Sequence, residues 1–291
     1  MKAEAATYAG MAFALTVLVA CSGVPGSAAP GAGPVDASMG IGVRDPAATG
    51  PVTVGYLTPA QTPDATAIVP PAPKEGEARN DADWKVFRDT RALRELNPDR
   101  WALAVNDDSY KPADILKDFS CAMGVELTLE NAPKLSLMLT RASTDAANAA
   151  AKTKEVYKRE RPYLHNYGDI CIARSENLAK SYDYPSGHAS ASWVEGLILA
   201  SLAPDRAEKI LARARAYGES RIVCGVHNAS AVEAGRTNAA GVFAALQGSA
   251  AYRQALVDVR KELTVVRKTG KAPDAAVCAK EADLTKPLEM N

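Results

Sequence analysis

Residues 184–192 read YPSGHASAS, a stretch in which a proline, a serine and a glycine lead into His188 and a run of small residues. The pattern that follows predicts a helix over His188–Leu202. A helix that begins at a glycine turn presents free backbone N–H groups and the positive end of its dipole, which together bind anions. Ser186 can add a hydroxyl donor, and His188 can exchange a proton near neutral pH. The alternative is a serine helix cap beside a surface histidine.

Helical periodicity continues on both sides of this stretch. The other predicted helices are Asp81–Arg94, Pro112–Met123, Ala132–Glu160, Asp205–Val223, Ser230–Leu246 and Ala251–Lys268. No stretch alternates convincingly as a strand does, and no internal repeat is present. The sequence therefore predicts an all-α helical bundle.

Composition bounds the class of protein. The chain has 291 residues, 47% of them hydrophobic, which is ample for one large domain or two small ones. Its 34 Lys and Arg residues balance its 34 Asp and Glu residues. Binding to nucleic acid needs a basic excess or patch, so a nucleic-acid partner is not expected.

The N-terminus has the features of an export signal. Lys2 precedes the apolar run Ala9–Ala20, which is too short to span a bilayer and has the length of a signal-peptide core. The run ends in Leu18-Val19-Ala20-Cys21, which resembles a bacterial lipobox. We expect residues 1–20 to be a lipoprotein-type signal peptide and Cys21 to be the lipidated first mature residue. An ordinary signal peptide cut nearby is the alternative, and both predict export to the periplasm.

The rest of the chain divides by composition. Residues 21–54 are rich in Gly, Ala, Pro and Ser and predict a flexible linker. Residues 56–73 are punctuated by prolines and predict an extended arm on the domain. Residues 55–270 are expected to form the catalytic domain, and residues 271–291 a polar C-terminal tail.

Two further segments carry clustered polar chemistry. Lys154 and Arg161 are seven residues apart, so on a continuous helix they share a face with Lys158. Arg221 closes one predicted helix, and His227 opens the next. A solvated basic helix end and a capping histidine are the alternatives. Together with the first stretch, these cations, helix amides and histidines suit a phosphoryl group, whose phosphorus a histidine nitrogen can attack.

These segments resemble the three-part signature K-x6-R-P, P-S-G-H, S-R-x5-H-x3-D of the type 2 phosphatidic acid phosphatase superfamily. This superfamily includes bacterial class A non-specific acid phosphatases and vanadium haloperoxidases. The matching residues are Lys154, Arg161-Pro162, Pro185-Ser186-Gly187-His188, Ser220-Arg221 and His227. The arm at residues 56–73 also looks like that of the class A enzymes.

The resemblance implies an exported acid phosphatase that hydrolyses small phosphomonoesters, at acidic pH and without a metal or cofactor. His227 would be the nucleophile that forms a phosphohistidine, and His188 the general acid and base. The phosphate would be bound by Lys154, Arg161, Ser186, Gly187 and Arg221. The resemblance also implies a homodimer. A membrane contact is expected only through the lipid on Cys21, which the lipobox-like segment predicts.

One position departs from the signature. The family has an aspartate where this chain has Ala231, and that aspartate is expected to orient the nucleophilic histidine. Glu233 is a candidate substitute, although six residues after His227 it lies off the same helix face. A backbone carbonyl or water is a second candidate. The third alternative is an impaired, phosphate-binding lipoprotein.

Two other predictions concern cysteines and rival enzymes. Without Cys21, four cysteines remain, and an even number in an exported chain predicts disulfides. Three pairings are open; Cys171 with Cys224 would brace the site and leave Cys121 with Cys278. A vanadium-dependent haloperoxidase-like enzyme is the rival activity, which the short chain and the class A-like arm disfavour. A lipid phosphatase is disfavoured because its relatives carry several transmembrane helices.

Overall fold

The computed structural model describes residues 53–165 and 168–288, and within these ranges it contains helices and no strand. The α-helices are α1 Ala78–Arg91, α2 Leu93–Leu96, α3 Pro98–Asn106, α4 Pro112–Met123, α5 Pro133–Tyr157, α6 Pro162–His165, α7 Glu176–Lys180, α8 Gly187–Leu202, α9 Ala207–Val223, α10 Ala229–Leu246, α11 Ala250–Thr269 and α12 Ala275–Leu284. Short 3-10 helices cover Ala65–Ala67 and Pro204–Arg206. The predicted all-α fold is confirmed.

Helix α8 forms the centre of the bundle and packs against α5, α9 and α10. The residues of α8 itself are small or apolar around most of its circumference, which is typical of a helix that is buried on all sides. Val194, Ile198 and Leu199 are fully buried in the main core. At Gly196 an added Cβ would lie 2.4 Å from the Cβ of Ala214, so the glycine allows α9 to approach closely. The central position of α8 fixes the turn at its N-terminus, where the P-S-G-H motif lies.

Four helices lie in segments without a predicted helix. These are α3, α6, α7 and α12, and each is short. Helix α12 falls in the segment predicted as a polar tail, where Asp274 caps its N-terminus by accepting hydrogen bonds from the amides of Ala276 and Val277. A single capping residue such as Asp274 only weakly predicts a helix from sequence. Tertiary contacts decide whether so short a segment becomes helical.

The arm ahead of α1 lies on the domain as expected. The carboxylate of Asp145, on α5, accepts hydrogen bonds from the amides of Tyr56 at 2.7 Å and Leu57 at 3.2 Å. Further along, the hydroxyl of Tyr184 donates to the carbonyl of Pro70 at 2.6 Å. Because Tyr184 immediately precedes the P-S-G-H motif, the arm supports the loop that carries the predicted site.

Two disulfides close the fold, and they have the pairing that was hypothesised. Cys171 bonds to Cys224, and Cys121 bonds to Cys278. The first ties the segment after α6 to the C-terminal end of α9, next to the Arg221 and His227 motif. The second ties α12 to α4.

We expect loss of the second disulfide to destabilise the fold without removing the site. The bond closes a sequence separation of 157 residues, and removing such a crosslink costs about 2–5 kcal/mol in the free energy of unfolding. The double variant Cys121→Ser, Cys278→Ser tests this by denaturant unfolding. An unfolding midpoint equal to that of the oxidised parent would contradict it.

The predicted signal peptide, Cys21 and all but residues 53 and 54 of the predicted linker lie outside the described residues. In the part of the chain that the structure covers, no helix has the length and apolarity to cross a bilayer.

Candidate active site

Lys154 and Arg161 approach one space from two different elements. Helix α5 ends at Tyr157 because Lys158 takes a left-handed backbone conformation, with φ 47°. The predicted helix end at Glu160, and with it the common helix stripe, is therefore wrong. Lys154 lies in the last turn of α5, whereas Arg161 lies in the connection to α6 and Lys158 is exposed.

Both cations are held by backbone carbonyls. The ammonium of Lys154 donates to the carbonyl of Tyr182. The guanidinium of Arg161, almost fully buried, donates from Nε to the carbonyl of Ser181 at 2.6 Å and from Nη1 to that of Val226 at 2.8 Å. Carbonyl partners orient a cation without cancelling its charge, so both remain able to bind an anion.

The P-S-G-H motif forms the N-terminus of α8 as predicted. Ser186 is the N-cap, and its hydroxyl oxygen accepts from the amide of Ala189 at 3.3 Å. Among the described residues, no acceptor pairs with the amides of Gly187 and His188, which belong to the first turn. A Cβ added to Gly187 would meet no atom within 4 Å. The helix therefore directs two free donors into an accessible space.

Arg221 supplies the third cation of the site, and its second guanidinium, from the last turn of α9. Its side chain is 1% exposed, and Nη2 pairs with Oδ1 of Asp108 at 2.8 Å. Its Nε and Nη1 are buried and have no hydrogen-bond partner among the described residues. Buried polar atoms are normally satisfied, so two donors of this guanidinium are left for an oxyanion.

His227 lies in the tight turn between α9 and α10. Gly225, with φ 79°, makes the turn possible, since residues that have a side chain rarely adopt this backbone conformation. The imidazole is buried; its Nε2 lies 3.1 Å from Nη1 of Arg161, and its Nδ1 lies 2.9 Å from Oδ1 of Asp183. A guanidinium only donates, so Nε2 must accept. The ring proton therefore resides on Nδ1 and is donated to Asp183, which leaves a lone pair on Nε2.

Asp183 is the site residue that the sequence motifs do not contain. It stands two residues before Pro185, and nothing in its position along the chain links it to a histidine 44 residues later. The candidate Glu233 is not brought to His227: its side chain is exposed on α10. The physical reason is the helical offset noted above, which turns position 233 away from the ring.

His188 lies under the loop between α3 and α4. The ring of Tyr110 stacks on the imidazole with centroids 4.0 Å apart, and Nε2 of His188 lies 3.2 Å from the carbonyl oxygen of Asp108. The loop is anchored by Asp107, whose carboxylate pairs with Arg213 at 2.6 Å. His188 is thus 19% exposed, at the edge of the space that the cations surround.

Burial and like charges set the protonation of the site. The pKa of His227 lies well below its usual value because of burial and then Arg161, Lys154 and Arg221. Burial, followed by Arg161, lowers the pKa of Lys154 to about 7. Burial and Arg221 also lower the pKa of His188. His227 consequently stays neutral in mildly acidic solution.

The described residues contain no group of three or more His, Cys, Asp or Glu side chains arranged to hold a metal ion. The predicted site residues other than Glu233 surround one space. They are Lys154, Arg161, Ser186, Gly187, His188, Arg221 and His227. The third histidine, His165, is apart from them and pairs with Glu160 at 2.7 Å on the surface.

Comparison with known proteins identifies relatives over most of the chain. Residues 133–254 match the PAP2 superfamily, and this range contains all three motifs. An acid phosphatase of Zymomonas mobilis subsp. mobilis is 38% identical over 216 residues, covering 74% of this chain and 81% of the relative. A non-specific acid phosphatase of Providencia stuartii is 32% identical, covering 73% and 86%. A non-specific acid phosphatase of Salmonella typhimurium is 30% identical, covering 72% and 83%.

Proposed function

Because this chain belongs to the PAP2 superfamily and is an acid phosphatase, we propose that it hydrolyses small phosphomonoesters through a phosphohistidine on His227, without a metal ion. The observation that carries the proposal is the state of the His227 ring. Its Nε2 lone pair faces Arg161, and its Nδ1 proton is held by Asp183.

The phosphate of the substrate binds where the donors converge. Lys154, Arg161 and Arg221 supply positive charge, and the amides of Gly187 and His188 add two hydrogen bonds. Ser186 lies buried at the same turn and adds its hydroxyl. One oxygen of the phosphate replaces the Asp108 carboxylate on Arg221, and others reach the unpartnered Nε and Nη1.

The first chemical step transfers the phosphoryl group to the enzyme. When the phosphate takes the Arg161 donor, Nε2 of His227 is released and attacks phosphorus. A P–N bond forms as the P–O bond to the alcohol breaks. His188 gives its proton to the leaving oxygen, so that a neutral alcohol departs.

The second step regenerates the enzyme. His188, now neutral, takes a proton from water, and the resulting hydroxide attacks the phosphorus. The P–N bond breaks, inorganic phosphate leaves, and His227 recovers its Nε2 lone pair. In both steps the cations and helix amides stabilise the negative charge that spreads over the phosphoryl oxygens.

An acidic optimum follows from the protonation of His188. In the free site, burial and Arg221 hold its pKa low. A bound phosphate neutralises the charge of Arg221 and so raises the pKa of His188 in the complex. Low pH increases the fraction of complexes in which His188 carries the proton that the leaving group needs, while His227 remains neutral.

We expect the fall of kcat/KM with rising pH, which begins with the loss of the His188 proton, to become steeper at about pH 7. Lys154 is charged below its pKa of about 7 and neutral above it, so the free enzyme loses one phosphate-binding cation in that range. Lys154→Arg should move this limb to higher pH, because arginine stays protonated. The exposed Lys158→Arg is the matched control. A basic limb that is the same in all three proteins would contradict the assignment.

The place of action is proposed from the sequence and the disulfides. The apolar run Ala9–Ala20 supports export to the periplasm, and the two disulfides fit an oxidising compartment. Cys21 supports a lipid anchor. A homodimer is proposed from the family resemblance alone.

Hydrolysis of p-nitrophenyl phosphate in the presence of EDTA, from acidic to neutral pH, tests the proposed function. Turnover that is undiminished by EDTA and highest in acid is expected. Activity that EDTA removes and a divalent cation restores would overturn the metal-free scheme. The names of the relatives favour this reaction over the haloperoxidase-like alternative.

A further inference from the structure

The start of α10 contains Ala231 where the family signature has an aspartate. Ala231 is fully buried and packs with Val69, Ala72 and Tyr184 in an apolar cluster beneath the arm. Its carbonyl accepts a hydrogen bond from the amide of Ser186 at 2.9 Å. Position 231 thus supports the P-S-G-H turn through its backbone, and its methyl group cannot accept a proton from the imidazole.

The Nδ1 atom of His227 instead contacts a carboxylate from the loop before α8. Asp183 is fully buried, and its backbone amide donates to the carbonyl of Arg159 at 2.7 Å. This bond fixes the main chain of Asp183 against the segment that follows α5. Its side chain then lies with Oδ1 at 2.9 Å from Nδ1 of His227.

Both oxygens of this carboxylate have defined partners. Oδ1 accepts from the amide of Asn228 at 3.1 Å in addition to the His227 proton. Oδ2 accepts from the side-chain amide of Asn228 at 2.8 Å, and Nη1 of Arg159 lies 3.5 Å away. Four groups therefore fix the plane of the carboxylate, which a lone contact could not do.

Arg159 is itself held in place by α1 and α10. Its Nη1 donates to Asp83 at 2.9 Å and to the hydroxyl of Ser230 at 2.9 Å, and its Nη2 donates to Asn80 at 3.0 Å. The guanidinium is 12% exposed and stands between two buried carboxylates. A buried carboxylate needs such a counter-charge and hydrogen bonds to remain ionised.

We infer that Asp183 is the positioning residue that orients the His227 nucleophile, and that Arg159 and Asn228 hold it in that role, in place of a carboxylate at position 231. This inference rests on the proposed function, because it assigns how the nucleophile of that reaction is held. Asp183 acts through His227 and does not touch the substrate. It fixes the Nδ1–H tautomer in the free enzyme and stabilises positive charge on the ring when Nε2 carries the phosphoryl group.

The test compares Asp183→Ala and the nearly isosteric Asp183→Asn with the parent. We expect kcat to fall about 10²–10⁴-fold. The dissociation constant of inorganic phosphate should change only a few-fold, because the cation cradle, formed by Lys154, Arg161 and Arg221, stays intact. The matched control is Glu233→Ala, which removes an exposed acid on α10 and should leave kcat unchanged. A purely structural role would instead weaken phosphate binding and lower the melting temperature together with kcat.

Two further measurements keep the inference falsifiable if the variants fold poorly. Nitrogen-15 NMR of the parent, which has three histidines, should show the His227 proton on Nδ1. The double variant Asp183→Ala, Ala231→Asp should have a kcat at least about tenfold higher than that of Asp183→Ala, because position 231 then supplies a carboxylate to His227. Introduced alone, Ala231→Asp should not raise activity, since it adds a second buried carboxylate without a new counter-charge.

The outcomes separate the two proposals. Full kcat in Asp183→Ala, or an Nε2–H tautomer in the parent, would overturn the positioning role and leave the phosphohistidine scheme standing. Turnover in a His227→Ala variant would overturn the scheme itself. No rescue by Ala231→Asp, together with phosphate binding lost in both Asp183 variants, would assign Asp183 to structure alone.

Discussion

Replacing His227 by alanine abolishes turnover of p-nitrophenyl phosphate, with a loss of about 10⁵–10⁶-fold in kcat, the size seen when a covalent nucleophile is removed. The physical reason is that the imidazole supplies the Nε2 lone pair to phosphorus. The cation cradle persists in the variant, so inorganic phosphate should still bind. Steady-state kinetics and phosphate titration of the purified variant measure the two effects separately.

The matched control for this variant is His165→Ala. His165 lies on the surface with a 2.7 Å ion pair to Glu160, away from the cradle, and its removal should leave kcat unchanged. A His227→Ala enzyme that keeps more than about 1% of the parent kcat would contradict the assignment of His227 as the nucleophile, since water would then attack phosphorus directly.

Replacing His188 by alanine should affect substrates according to their leaving groups. An alkyl alcohol must be protonated as it departs, and we expect kcat/KM for glycerol 2-phosphate to fall about 10²–10⁴-fold. Nitrophenolate leaves without a proton, so formation of the phosphoenzyme from p-nitrophenyl phosphate should be affected far less. Its hydrolysis still needs a base to activate water.

The same variant should therefore accumulate the intermediate. Stopped-flow measurement with p-nitrophenyl phosphate is expected to show a burst of nitrophenolate close to one equivalent per enzyme, followed by slow turnover. Tyr110→Phe is a suitable control, because it keeps the ring that stacks on His188. Equal losses for both substrates, without a burst, would show that His188 does not carry the proton.

Much of the architecture could be predicted from sequence periodicity. The predicted bounds of α4 match those observed, and α8, α9, α10 and α11 agree within two residues at each end. These helices carry long apolar faces, and α4 and α5 begin at prolines, which favour the first helical turn. The short helices α3, α7 and α12 depend on tertiary contacts that no local pattern encodes.

The C-terminal end of α5 shows why a spacing can be right while its structural explanation is wrong. The predicted helix ends at Glu160, ahead of Pro162, but the observed one ends at Tyr157, because Lys158 adopts a left-handed conformation that sequence propensity does not favour for lysine. Lys154 and Arg161 still reach one space, since the break redirects the chain across the site.

Asp183 could not be predicted for a different reason. Its role depends on a contact across 44 residues, made when the loop before α8 packs on the turn before α10. The positions close to His227 in the sequence are Ala231 and Glu233, and both lie on α10. The carboxylate was instead on the loop before the P-S-G-H motif, where only the folded chain brings it to the ring.

The most direct test of the account is to look for phosphate on His227 itself. The His188→Ala enzyme is mixed with p-nitrophenyl phosphate and EDTA, quenched in alkali to preserve the acid-labile P–N bond, digested and analysed by mass spectrometry. We expect one phosphoryl group on the peptide that contains His227, and we expect it to be lost when the peptide is acidified. Turnover without any phosphorylated histidine, or with phosphate on another residue, would contradict it.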